Sequence, residues 1–156
     1  MHNKINILAG LLALIFGLSS CLKGNLPDLP AYSDADITEL YSQYRYLDTE
    51  QYPDGSNIVR IVTLSVSDKS FSNGTASATV TVPDASSFTV PGERDKVSAT
   101  NIVMMCNIST GASIEPLEGA PKLGMPGDFS KLQKYKVTAA DGKTSKVWSI
   151  SINLVK

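Results

Sequence analysis

Beyond its second residue the 156-residue chain contains no histidine, and it holds only two cysteines, Cys21 and Cys106. Serine–histidine–aspartate and cysteine–histidine arrangements are therefore out of reach, as are most zinc sites. Charge is sparse and balanced, 14 basic against 15 acidic side chains, with no basic stripe of the kind that tracks a nucleic-acid backbone. No GxxxxGK stretch occurs to cradle phosphates. The one long apolar run, Ile5 to Leu18, falls short of the ~20 residues that a membrane-spanning helix needs. After residue 20 there is no amphipathic helical pattern of useful length. Together these absences leave no preassembled reaction centre and no helical core.

What is present begins with that apolar run. MHNK supplies one Lys and no acid ahead of it, which is the layout of a secretory signal peptide over residues 1–20. Leu18-Ser19-Ser20-Cys21 then resembles the lipobox of bacterial lipoproteins: an apolar residue, two small ones and a cysteine. The resemblance implies a diacylglyceryl group on the Cys21 thiol, cleavage just before Cys21 and acylation of the new amino group. Several acyl chains on one residue exceed the two-signal threshold for stable anchoring, so the membrane is the first partner expected. With Cys21 modified, Cys106 has no intramolecular partner, and its apolar setting in NIVMMCNIS predicts a buried, inert thiol. Leu22 and Lys23 carry no aspartate-type signal for inner-membrane retention, so outer-membrane attachment is expected, on either the periplasmic or the surface face. Residues 21–34, with Gly24, Pro27 and Pro30, read as an extended tether, and residues 35–156 as one folded domain.

Within that domain the apolar pattern has period two. Leu40, Ser42, Tyr44 and Tyr46 alternate with Ile37, Glu39 and Tyr41; Val62, Leu64 and Val66 share a face; Ala76, Ala78, Val80 and Val82 share another. Asp68 to Gly74 reads as the turn between the last two runs. Ile102, Met104, Cys106 and Ile108 continue the alternation, as do Tyr135, Val137 and Ala139 and then Trp148, Ile150, Ile152 and Leu154. Asp141-Gly142 between these final runs predicts a type I′ hairpin. Two prolines bar Val82–Val97 from a central strand, although PGERDKV can form one helical turn. Residues 110–130 are a Gly- and Pro-rich crossover. About seven strands with turn signals between them predict an all-β fold, a β-sandwich.

Residues 108–152 carry a further resemblance. ISTGASIEPLEG, then GDFSK, then YKVTAADGKTSKVWSISI is similar to a C-terminal module of Bacteroidetes outer-membrane lipoproteins, and ADITELYSQYRY resembles the opening strand of one such family of unknown function. The resemblance implies an immunoglobulin-like or cadherin-like sandwich on the outer membrane. It also implies a role as a glycan-binding or accessory component of a polysaccharide uptake system or transport complex. It brings no catalytic residue with it.

The residues themselves suggest little chemistry. Asp34, Asp36, Glu93, Asp95 and Glu115 lie in predicted tether, loops or turns, and no pair stands out for acid–base work. No cofactor and no metal is expected, and the chain is expected not to be an enzyme. Five of the six tyrosines, Tyr32, Tyr41, Tyr44, Tyr46 and Tyr52, fall between residues 32 and 52. Tyr44 and Tyr46 share parity with Leu40 and belong in the core, as does Trp148 with Ile150. Tyr32, Tyr41 and Tyr52 remain as candidate ligand contacts, since glycans and protein partners both favour tyrosine faces. The alternative function is a structural or assembly component of the cell surface, such as a fimbria-like subunit, whose edge strands pair with a partner.

Overall fold

The computed structural model describes residues 31–156. Cys21, the signal peptide and residues 21–30 of the tether lie outside them. Eight strands form the domain: β1 (Ile37–Gln51), β2 (Asn57–Ser72), β3 (Thr75–Thr81), β4 (Ile102–Ile108), β5 (Ser113–Pro116), β6 (Pro126–Gly127), β7 (Gln133–Thr138) and β8 (Ser145–Val155). Among the described residues, one short helix, α1 (Glu93–Lys96), and a single 3₁₀ turn at Ala85–Ser87 are the remaining elements. The fold is all-β, as the alternation predicts.

The strands form one continuous hydrogen-bonded sheet in the order β5-β7-β8-β3-β2-β1-β4-β6. Every neighbouring pair is antiparallel except β3 and β8, which run parallel from Thr75 opposite Ser149 to Thr81 opposite Val155. The sheet curls at β2. Its first half pairs with β1 as far as Leu64, opposite Ser42, and from Ser65 onward it pairs with β3. Side chains from both halves meet in one cluster, with Leu40, Leu64 and Met104 from one side and Val80, Tyr135 and Ile150 from the other, all at most 1% exposed. Phe129, in the Asp-Phe-Ser corner, closes it: Asp128 Oδ1 accepts from the Ser130 amide and hydroxyl, which turns the chain and aims the ring inward.

Most of the expected faces are observed, and the departures have local causes. Ile37 was expected opposite Leu40, yet it is buried, because the β1–β4 register shifts between Ile37 and Glu39. Asp68 to Gly74 is not one long turn. β2 continues to Ser72 through an irregularity at Asp68 (φ 47), and the turn is Asn73-Gly74 alone, with both residues at positive φ. That is the type I′ geometry, and a Cβ on Gly74 would lie 2.8 Å from the Val147 carbonyl oxygen. The type I′ turn expected at Asp141-Gly142 is absent, since only Gly142 has positive φ. Instead the Asp141 carboxylate accepts from the Lys143 amide, the Thr144 amide and the Thr144 hydroxyl, and Ala139 N–H donates to Thr144 O to close a wider loop. The expected count of about seven becomes eight because the 110–130 crossover contains β5 and β6. Both lie at the ends of the sheet, where prolines are tolerated.

The chain is fastened where it enters the domain. Tyr32 O accepts from the Asp141 amide, Ala35 O accepts from Trp148 Nε1 at 2.9 Å, and Asp36 is ion-paired with Lys146 at 2.8 Å. The end of the predicted tether is thereby held against the β7–β8 loop.

Candidate functional site

The parting of β1 and β2 creates a concavity. Before Ser42, β1 pairs only with β4; beyond Leu64, β2 pairs only with β3. The split leaves a groove of about 320 Å³ with Tyr41, Gln43, Thr63, Ser65 and Lys69 on its walls and the core residues Leu40 and Leu64 at its base. Alternation produces this lining directly, since Tyr41 and Gln43 take the solvent-facing parity of β1 and Thr63 and Ser65 that of β2.

Three of the wall groups, Tyr41, Gln43 and Lys69, are held by side-chain contacts. The Tyr41 ring is 44% exposed, and its hydroxyl accepts a hydrogen bond from Asn107 Nδ2 at 3.0 Å, which restrains the ring. Gln43 Oε1 accepts from Arg45, whose other terminal nitrogen donates to Gly124 O. Lys69 spans the split to Glu39 at 2.7 Å. That hydrogen bond, followed by one from the Leu40 amide, holds the Glu39 carboxyl below its ordinary value. Ser42 also lines the groove; it is 1% exposed and its Oγ has no partner among the described residues. An aromatic face beside an amide, two hydroxyls and an ammonium group suits a polyhydroxylated ligand, which stacks its C–H face and hydrogen-bonds at its rim.

The three candidate tyrosines are not brought together. Tyr32 precedes β1 beside the β7–β8 loop, and Tyr52 sits in the β1–β2 tip, where its amide bonds Ser56 O. Tyr41 and Tyr52 are separated by roughly 35 Å of extended chain. All three are exposed, but only Tyr41 lines the groove. Trp148 is buried, and so are Tyr44 and Tyr46, whose rings stack at 5.8 Å and lean on Phe88.

One of the five candidate carboxylates, Glu93, which the sequence places in a surface turn, proves structural. Glu93, on α1, is buried under the β1–β2 ribbon and accepts from the Tyr44 hydroxyl and from Lys96, both at 2.8 Å. Burial raises the Glu93 carboxyl, but the hydrogen bonds from Lys96 and Tyr44 outweigh it and leave it lowered. Burial, reinforced by Glu93, pushes the Tyr44 hydroxyl up to about 12. The Glu93–Lys96 spacing is readable as i,i+3 on a helical turn; the Tyr44 contact, 49 residues away, is not. Among the other acids, Asp36 and Glu115 are engaged by Lys146 and Lys136. Cys106 is half-buried rather than enclosed, and burial lifts its thiol to about 11, well away from the reactive thiolate range. Among the described residues no group of three or more His, Cys, Asp or Glu side chains is placed to hold a metal ion.

At the tip of the ribbon, Asp48 binds Arg60 and accepts from the Thr89 hydroxyl, whose amide in turn donates to Tyr46 Oη. The Arg60 hydrogen bond, then the Glu50 amide, pulls the Asp48 carboxyl down to about 2. A depressed folded value means the contribution is complete above the ordinary 3.8 and is lost as pH falls toward about 2. Across that window the wild-type chain is expected to lose more stability than Asp48→Asn, measured by urea unfolding at stepped pH. Equal slopes for the two proteins would contradict the pairing.

The sequence of residues 37–151 matches the DUF5018-related family. The chain belongs to that family. A DUF5018-related chain is thus seen here as a curled eight-stranded sheet with a groove at its parting. The crystal structure of a Bacteroides fragilis chain described as a candidate secreted protein is similar to it, with 39% identity and a TM-score of 0.72, covering 81% of this chain and 100% of that one. The expected kinship with a Bacteroidetes family holds at this level. A Bacteroides thetaiotaomicron chain described as a candidate glycoside hydrolase shares 19% identity at a TM-score of 0.46, covering 86% of this chain and 28% of that one, a likeness too slight to bear on activity. No curated protein matches.

Proposed function

We propose that this DUF5018-related chain is a non-catalytic binding module of the bacterial envelope that holds a glycan segment in the Tyr41 groove. The observation that carries the reading is the restrained, half-exposed Tyr41 ring set against Gln43, Thr63, Ser65 and Lys69. Acid–base chemistry on the sugar is not part of it: Glu39, the carboxylate at the groove's edge, is engaged by Lys69 and held ionised. Acyl chains on Cys21 attach the module to the outer membrane, with an immunoglobulin-like or cadherin-like domain behind the tether. The description of the Bacteroides fragilis relative as a candidate secreted protein supports export, and the lipobox-like Leu18–Cys21 supports the anchor. Its partners are a polysaccharide and, through it, an outer-membrane transport complex.

Retention of the detergent-solubilised chain on immobilised polysaccharides tests this reading. At least one polysaccharide is expected to retain it, and Tyr41→Ala is expected to weaken that binding about tenfold by removing the stacking face. Retention unchanged by Tyr41→Ala would remove the groove from the account. A second reading, a structural or assembly component of the cell surface, is favoured by a different observation. Among the described residues no strand pairs with Asn57–Leu64 of β2 on the side away from β1.

A further inference from the structure

We propose that the Asn57–Leu64 edge of β2 pairs antiparallel with the same edge of a second copy of this chain, joining two curled sheets into one. The inference rests on the assembly reading and is independent of the groove. The edge is open: β3 begins its pairing at Ser65, and no loop amide or carbonyl among the described residues bonds to residues 57–64. An unpaired row of N–H and C=O groups is a template for another strand, and natural edges are usually blunted by Pro, Lys, bulges or short length. This edge has no Pro and no Lys, and the ribbon's one register shift, between Leu47 and Gln51, lies at its far end beyond Val59. Its sequence, NIVRIVTL, is rich in β-branched residues and pairs regularly with β1 from Leu64 to Val59.

Two further features select a copy of the chain as the occupant. The first is charge. Arg60 is the one charged residue on the edge, and Asp48 of the same copy neutralises it, so two edges meet without net repulsion. Register then follows. Keeping the core face of both strands on one side requires pairs of equal parity. Centring on Arg60 would set two guanidinium groups opposite each other, which is unfavourable. Centring on Ile61 sets Arg60 against the partner's Val62 and Ile61 against the partner's Ile61. It also merges the outward apolar residues Leu47, Val59 and Ile61, each 57–58% exposed, with their counterparts.

The second feature is size. Centred on Ile61, residues 58–64 face their counterparts over ~23 Å, and two such edges with their outer rows bury on the order of 1,000 Å², the low end for specific interfaces. Pairing of that size is weak in dilute solution and strengthens when both copies share one surface, where effective concentration is high. A lipid anchor at Cys21 would supply that confinement.

Ile61→Cys in a Cys106→Ser background, expressed as the full chain and oxidised in intact envelopes, provides the test. Paired strands bring opposite Cα atoms within disulfide reach. A disulfide-linked dimer is therefore expected for Ile61→Cys and only background for Leu132→Cys, a similarly exposed apolar position away from the edge (53%). Ile61→Lys, which sets like charges opposite each other, is expected to lower the yield of chemically cross-linked dimer about tenfold. No dimer at Ile61, or equal cross-linking at Ile61 and Leu132, overturns the proposal. Linkage of Ile61→Cys to a different envelope protein would also overturn it while leaving the assembly reading standing.

Discussion

A Trp148→Ala variant is expected to lose about 3–5 kcal/mol of folding stability, the cost of emptying a large buried aromatic site. Trp148 is 2% exposed and lies cross-strand from Tyr135, which is 1% exposed, so the vacated volume opens in the middle of the β7–β8 half of the core. The substitution removes more than packing. The indole Nε1 is the donor to Ala35 O in a buried hydrogen bond, and the Lys146 ammonium sits 4.5 Å from the ring centroid while also pairing with Asp36. Removing the ring therefore also loosens residues 32–36, where the chain enters the domain. Trp148→Phe separates the two effects. It keeps most of the apolar contact and leaves Ala35 O without its donor, for an expected loss of about 1–3 kcal/mol. Urea unfolding gives the total, and amide exchange at Asp141, which donates to Tyr32 O, reports the loosening. A loss below about 1 kcal/mol for the alanine variant would mean that the site collapses and that the indole is not a keystone.

Cys21→Ala is expected to transfer the protein almost completely from the membrane pellet to the soluble fraction. The apolar run before it, Ile5 to Leu18, is shorter than the ~20 residues needed to span, so it cannot substitute as an anchor once the lipid is lost. A single chain binds membranes only marginally, and it is the combination of several on one residue that makes attachment stable. Intact mass of the wild-type chain should correspond to a start at Cys21 plus acyl groups. Pelleting of Cys21→Ala equal to wild type, or a wild-type mass lacking acyl chains, would exclude the lipoprotein reading.

The all-β class was readable because period-two burial needs only local sequence. Ala76, Ala78, Val80 and Val82 alternate with threonine and serine, and all four are buried. Wherever the strand period is interrupted, that logic fails. The register shift beside Ile37 moves a residue from the expected outer face to the core, and the irregularity at Asp68 hides the continuation of β2 behind polar residues. β5 and β6 were missed because strands of four and two residues containing proline leave no periodic trace. The two Xaa-Gly pairs show how context decides a turn. Asn73-Gly74 adopts type I′ geometry, whereas at Asp141 the side chain captures two amides and a hydroxyl, which stabilises a wider loop.

The site divides in the same way. The outward parity of Tyr41 and the inward parity of Tyr44 and Tyr46 follow from β1 alone. That Thr63, Ser65 and Lys69 stand across from Tyr41 depends on where β2 leaves one partner for another, which no local pattern encodes. The grouping of Tyr32, Tyr41 and Tyr52 by sequence proximity dissolves because an extended strand separates residues that a helix would gather.

The proposed glycan-binding groove at the parting of β1 and β2 is tested most directly by titrating the isotope-labelled chain with a panel of oligosaccharides and following amide chemical shifts. Shifts confined to residues 39–43, 63–69 and 105–107, and abolished in Tyr41→Ala, are the predicted result. Absence of any shift with the whole panel at millimolar concentration, or shifts that persist undiminished in Tyr41→Ala, would contradict it.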